Sequence, residues 1–257
     1  IHAEQGYGDA IQMVRFVRQA RNHFARVVLE CRPELKTLFA HNQLADQVIA
    51  FGEEIPACDF FIPFGSLPGV LGITLENLPQ KTPYLQAAMP RPAAPLSLPR
   101  VGLVWAGNPG HLQDHLRSMS LAELAVFRKM SGVEFVSLQH PLPARDQTAL
   151  AEWTGRLTLY PPFTDFLATA TLVATLDLVI TVDTAVAHLA AAMGKPVWIL
   201  IQHSPDWRWL LERTDSPWYP NVRLFRQTIR GDWQVPLQAA SAALAEWLAT
   251  TAASRHP

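Results

Sequence analysis

Apolar and polar positions along the chain follow two alternating periods. Residues 26–30 (Arg-Val-Val-Leu-Glu) and 46–50 are short apolar runs of strand length, and residues 1–4 read as the remnant of an opening strand. Gly6-Tyr7-Gly8 then predicts a turn, with Asp9 as the N-cap of a helix. In that helix Ile11, Val14 and Val17 recur at helical spacing, while Arg15 and Arg18 lie off the stripe. Pro33 opens a second helix through Phe39, and residues 60–71 carry too many glycines and prolines to be more than loop.

The same grammar returns more strongly in the second half. Strands are predicted at 101–105, 134–138, 177–182 and 197–201, and helices at 121–129, 164–176, 184–193 and 232–248. Gly194 and Pro196 stop the third of these helices. Strands alternating with helices predict an α/β fold with parallel sheets covered on both faces. Between the halves, Pro79, Pro83, Pro90, Pro92, Pro95 and Pro99 predict an extended connector, and all eight tryptophans follow it. Two units, 1–95 and 96–257, would then face each other across a cleft.

Composition narrows the class. Apolar residues make up 49% of the 257 positions and charged residues 17%, which excludes wholesale disorder. The net charge of −1 lacks the basic surplus that a sequence-blind grip on nucleic acid requires. Cys31 and Cys58 are the only thiols, too few for a disulfide scaffold, and are expected to be free and buried in a reducing cytoplasm. No apolar run is long enough to span a membrane and no leader pattern is visible. The opening on Ile1, close to a motif, leads us to expect an upstream segment.

Four strand-edge segments could carry chemistry. In Val182-Asp183-Thr184-Ala-Val-Ala-His188 a strand runs straight into a helix, whose free N–H groups and dipole suit a diphosphate. His188, one turn in, could donate to a phosphate or sugar hydroxyl, or be a satisfied core histidine. In Glu4-Gln5-Gly6-Tyr7-Gly8-Asp9 the glycines and Glu30 match a dinucleotide fingerprint only in part, since Ile11 replaces its third small residue. That counts against a nicotinamide-dependent oxidoreductase. Asp9 could be a general base toward a hydroxyl, or simply a cap. In the loop 107–118, Arg117 and Ser118 suit phosphate, while His111, Asp114 and His115 raise a metal reading that lacks a helix and a further ligand. Asp206-Trp207-Arg208-Trp209 and Asp215-Ser-Pro-Trp-Tyr219 offer aromatic faces beside charges, suited to a base or sugar or to a packed corner. Gln139 at a strand end could meet a nucleotide or turn the chain.

The ordered set is more specific than any member. His2-Ala-Glu-Gln-Gly-Tyr-Gly-Asp9, Trp105-Ala-Gly-Asn-Pro109, Arg117-Ser118, Ser137-Leu-Gln139, Val182-Asp-Thr184 with His188, and Asp206-Trp-Arg-Trp-Leu210 with Asp215-Ser-Pro-Trp-Tyr-Pro220 resemble glycosyltransferase family 9. The closest branch of these heptosyltransferase-like proteins often follows tetratricopeptide repeats. The resemblance implies a GT-B fold of two Rossmann-like domains and inverting transfer from a nucleotide-sugar, without a cofactor or bound metal. It assigns Asp9 as base, and Asn108, Arg117, Ser118, Gln139, Asp183, Thr184, Ala185 and His188 to the donor, with ADP-heptose one candidate. Gln5, Gly6, Tyr7 and Trp207 would meet the acceptor or sugar. The acceptor would be a glycan, a lipid-linked sugar or a protein side chain, and the site of action the cytoplasm, with its inner membrane face one option. The chain departs from the branch at His115, His140 and Ala185, where arginine, lysine and glycine are frequent. A silent nucleotide- or glycan-binding module on a repeat scaffold is the alternative reading.

Overall fold

The computed structural model describes residues 1–88 and 98–255, the last four without their side chains. Pro90, Pro92, Pro95 and the expected boundary at 95/96 lie outside the described residues.

The first half is a small parallel α/β layer. Helix α1 (Tyr7–Met13) continues through one 3-10 turn (Val14–Phe16) into α2 (Val17–Ala20). Strand β1 (Val28–Cys31), helix α3 (Pro33–His41) and strand β2 (Gln47–Ala50) follow. A single helical turn, α4 (Leu67–Val70), replaces the irregular loop expected at 60–71. Strand β1 pairs in parallel with β2, and on its other side with the opening residues: Ala3 N donates to Glu30 O at 3.0 Å and Glu30 N to Ile1 O at 2.9 Å. The expected opening strand is thus a pair of bridges from His2, one to Glu30 and one to Pro63. Ile11, Val14 and Val17 are buried as expected, but so is Arg15. Of the two cysteines, Cys31 is buried and Cys58 is exposed, which corrects the expectation for Cys58.

The second half holds a six-stranded, wholly parallel sheet. Its elements are β3 (Arg100–Val104), α5 (Asp114–Arg117), α6 (Ala125–Arg128), β4 (Glu134–Ser137), α7 (Gln147–Glu152), β5 (Leu157–Thr158), α8 (Phe166–Ala174), β6 (Leu178–Val182), α9 (Ala185–Ala192), β7 (Val197–Ile201), β8 (Val222–Arg226) and α10 (Gln234–Arg255). The strand order is β5-β4-β3-β6-β7-β8. The chain therefore builds outward from β3 in one direction, then from β6 in the other. Loops leaving the carboxyl ends of β3 and β6 diverge, and such a reversal point is where open α/β sheets bind ligands. No helix among the described residues is long and apolar enough to cross a membrane.

One apolar core joins the halves. It runs from Ile11, Phe16 and Leu35 to Leu189, Trp209 and Tyr219, while a second core fills the opposite face of the large sheet under α6 and α10. Polar contacts pin the same junction. Thr37 Oγ1 donates to Asp165 Oδ2 at 2.8 Å, and the described part of the proline-rich connector docks through Tyr84 N and Leu85 N on Ala192 O. Arg15 donates to Trp218 O (2.7 Å), Pro79 O (3.2 Å) and Tyr84 OH (3.0 Å), with the Tyr84 and Tyr219 rings each 4.6 Å from its guanidinium carbon. A buried guanidinium is tolerated only when its donors are matched this fully.

Candidate active site at the junction of the two sheets

The loop after β3 is folded tightly on itself. Ser118 Oγ donates to Asp114 Oδ2 and accepts from Gly107 N, both at 2.8 Å, and Arg117 Nε donates to Asp114 Oδ1 at 3.1 Å. Position 107 must be glycine here, because a Cβ would lie 2.4 Å from Asp114 Oδ1 and 2.8 Å from Arg117 Nε. The single turn of helix at α5 corrects the expectation that glycine and proline would exclude one. It also commits Asp114 to Arg117 and Ser118 rather than to a metal shared with His111 and His115.

Asp183, at the carboxyl end of β6, is buried and flanked by charge. Burial pushes its carboxyl up, opposed by Arg208, the Trp209 indole and Arg117. Arg208 is the hub. It forms an ion pair with Asp9 of the first half, a second with Asp206 Oδ1 at 2.9 Å, and donates from Nε to Gln12 Oε1 at 2.9 Å. The corner that carries it is held by Arg226, which donates to Trp209 O and, at 2.9 Å, to Leu210 O; Leu210 itself sits at φ +54°. Asp9 occupies the third position of α1, not the N-cap, which is Gly6; its Oδ2 accepts from Gly6 N at 3.1 Å. Tyr7 and Gly8 belong to the helix rather than to a turn. Asp9 and Arg208 thus pair across the two halves, with Asp183 feeling the charge of Arg208 and Arg117.

His188 is placed differently from the donor-binding expectation. It is 2% exposed, its Nδ1 lies 2.9 Å from the Tyr219 hydroxyl, and its ring stacks on Trp209 at 5.3 Å. Burial, with Arg208 and Arg15 adding positive charge, holds it well below the usual imidazole range. The reason is the close approach of α1: a Cβ on Gly8 would lie 2.9 Å from His188 Cδ2 and 3.6 Å from Ala185 Cα. His188 is a neutral, buried histidine under the crossing of two helix starts, paired with Tyr219.

Gln139 is likewise engaged inside the fold. Its Oε1 accepts from Trp105 N (3.1 Å) and Ala106 N (2.9 Å), finishing the β3 edge from inside. Asn108 is exposed and turns its own loop by accepting from Gly110 N at 2.9 Å. Thr184 is the N-cap of α9 and pairs with Thr181 Oγ1 at 3.1 Å. Ser118 spends its hydroxyl within the loop. Gln5 is exposed, Tyr7 packs on Phe166 with ring centres 5.0 Å apart, and Trp207, 58% exposed, meets Trp218 edge-on. The sequence singles out the segment of Arg208 for its tryptophans but gives no role to Arg208 itself, to Arg15 or to Gln12. The available signal for Arg208 was an arginine set between two tryptophans, a pairing that marks a guanidinium drawn into an aromatic corner.

Two parallel α/β layers meet at an ion-paired seam, with these polar groups at a reversal point of the larger sheet. Residues 143–237 match glycosyltransferase family 9 (heptosyltransferase). Protein FlbA of Caulobacter vibrioides is 27% identical over 97% of this chain, and the chain spans 46% of that protein's length. Among solved structures, the E. coli ADP-heptose lps heptosyltransferase II superposes with a TM-score of 0.62 at 15% identity, covering 97% of this chain and 98% of that one. The E. coli heptosyltransferase WaaC with ADP gives 0.57 at 11% identity over 95% and 98%. The fold is GT-B, as in these neighbours.

Proposed function

We propose that this chain transfers a sugar from a nucleotide-diphosphate donor to an acceptor hydroxyl, by direct displacement with inversion and with cationic side chains in place of a metal. The observation that carries this reading is the Asp9–Arg208 pair beside Asp183 and Arg117 at the reversal point of the sheet. In support of this reading, one half offers a carboxylate that can act as a base and the other offers two guanidinium groups that can clamp a leaving group.

In this reading the donor diphosphate takes Arg208 away from Asp9. The freed Asp9 carboxylate accepts the proton of the acceptor hydroxyl, whose oxygen attacks the anomeric carbon. The bond from that carbon to the diphosphate oxygen breaks, and the departing nucleotide keeps the electron pair. Its growing negative charge is met by Arg117 and Arg208, with the N–H groups at the start of α9 adding to the field. An ADP-sugar, ADP-heptose in particular, is the donor proposed from the heptosyltransferases the chain is similar to. The acceptor side belongs to the first unit, 1–95. An upstream tetratricopeptide segment and a place on the cytoplasmic face of the membrane follow from the sequence resemblance alone.

The silent-module reading has one observation in its favour. Arg208 holds Asp9, and Gly8 closes on the start of α9, so the groups needed for chemistry are engaged with each other. A hydrolysis and transfer screen over ADP-, UDP-, GDP- and dTDP-sugars separates the two. Turnover of one donor supports the transferase; binding without turnover of any supports the module.

A further inference from the structure

Helix α1 meets the second half along one face. Asp9, Gln12 and Arg15 follow one another at steps of three, so they share one side of α1 and of the 3-10 turn that continues it. Asp9 pairs with Arg208, Arg15 donates to Trp218 O at 2.7 Å, and Gln12 lies between them in sequence. Gln12 is 0% exposed. Its Oε1 accepts from Arg208 Nε at 2.9 Å, and its main-chain O accepts from Arg15 Nε at 2.9 Å. The partner fixes the amide orientation, because a guanidinium only donates and the atom it meets must be the oxygen. The other end, Nε2, has no partner among the described residues. Packing alone does not explain a buried glutamine that leaves a donor unmatched, since methionine or leucine would fill the space without that cost.

The contacts of Arg208 divide its guanidinium by nitrogen. Nε goes to Gln12, Nη1 to Asp206 Oδ1 at 2.9 Å and Nη2 to Asp9. Asp206 caps the turn that carries Arg208 and also accepts from its main-chain N at 3.2 Å, so it ties the arginine to its own loop. That loop is long, running from the end of β7 at Ile201 to the start of β8 at Val222. Of the three contacts, those with Asp9 and Gln12 cross to the first half. They differ in charge, and so in how they respond to an anion. A diphosphate competes with the Asp9 carboxylate for the guanidinium. Gln12 is neutral and offers a single oxygen to Nε, so it holds the arginine without repelling the ligand. When Nη2 leaves Asp9, Gln12 remains as the contact that keeps Arg208 at the seam.

We propose that Gln12 is a positioning residue: it holds Arg208 by Nε, so that the guanidinium passes from Asp9 to an incoming diphosphate without leaving the site. This rests on the reading that Arg208 meets the donor diphosphate. Gln12 acts through Arg208 and not on the substrate.

The test is calorimetric titration of the whole chain with ADP, UDP, GDP and dTDP, each beside its own nucleoside. The ratio of the two affinities, the diphosphate preference, reports Arg208 apart from recognition of base and ribose. Gln12→Met and Gln12→Leu keep most of the side-chain bulk and remove the acceptor. Gln12→Glu keeps the oxygen on Nε, loses only the unpartnered NH₂, and adds a charge that competes with the diphosphate. Folding of each variant is read from its thermal transition. We expect the parent chain to prefer one diphosphate, and each folded variant to weaken that diphosphate about tenfold with the nucleoside unchanged, the loss of one hydrogen bond to a charged group. In Arg208→Lys, which has no Nε, adding Gln12→Met should change the preference by less than about twofold. A folded variant that leaves the preference unchanged overturns the proposal. So does one that weakens diphosphate and nucleoside alike, the mark of a merely structural role, and so does a Gln12→Met effect of equal size in the Arg208→Lys chain. Failure of the donor reading looks different: the parent chain then prefers no diphosphate over its nucleoside, and the proposal falls with it.

Discussion

Arg208 and Asp9 lie 199 positions apart in sequence and form an ion pair across the two halves of the chain. The guanidinium is the more buried partner and also serves Asp206 and Gln12. Removing it leaves three groups facing a shared void, and breaking a buried pair typically costs about 3–5 kcal/mol. Asp9 is partly exposed, which lowers that figure. Arg208→Gln should therefore destabilise by about 2–3 kcal/mol in denaturant unfolding. Arg208→Lys restores charge but not the fork, and should recover less than half of the loss.

Gly8 tests how closely the halves are fitted. In an exposed helix, alanine in place of glycine stabilises by about 1 kcal/mol. Here a Cβ would lie 2.9 Å from His188 Cδ2, with a buried ring that cannot give way freely. Overpacking of this kind costs about 1–3 kcal/mol, so the clash outweighs the propensity. Gly8→Ala should lower the melting temperature; an unchanged or higher value contradicts the direct packing of α1 on α9.

His188 gives the junction a pH dependence of known sign. Its folded pKa is depressed, so the unfolded chain takes up a proton first as pH falls through the usual imidazole range. Stability from this group is fully present above about pH 6.5 and declines below it, by up to about 1.4 kcal/mol per pH unit. Asp183, whose carboxyl burial pushes up, acts in the opposite sense, so the comparison is between wild type and His188→Asn. Unfolding followed from pH 7.5 to 5.5 should show a shallower slope in the variant.

The two thiols should differ sharply. Burial pushes Cys31 up to about 12, while Cys58 is exposed. A thiol reagent at neutral pH should label one site in the native protein and two after denaturation.

The legible parts of the fold are those with a clean apolar period. Residues 197–201 form β7 as expected, and α9 follows β6 because a buried run meets Asp183-Thr184 and then alanines. Helix α7 was not expected, and it buries no side chain that would mark a stripe. Strand β8 was missed because Arg223 and Arg226 interrupt its apolar positions, the latter turned inward to hold the Trp209–Leu210 corner. Strand β5 is two residues long. In the site, strand-edge position and the family resemblance together single out Asp9, Asp183 and Arg117 in the sequence. Which of them meet was not readable, since it depends on Arg208 crossing from a distant loop. The burial of His188 depends on a glycine 180 positions away.

The most direct test of transfer is the Asp9→Asn variant assayed for nucleotide affinity and turnover on the same preparation. Asparagine keeps the acceptor for Gly6 N and the size of the side chain, so the start of α1 should hold. A general base commonly contributes about 10²–10⁴-fold in rate. The account predicts nucleotide affinity within a few-fold of the parent and turnover reduced by that factor. Near-normal turnover, or turnover lost only in step with nucleotide binding, contradicts it.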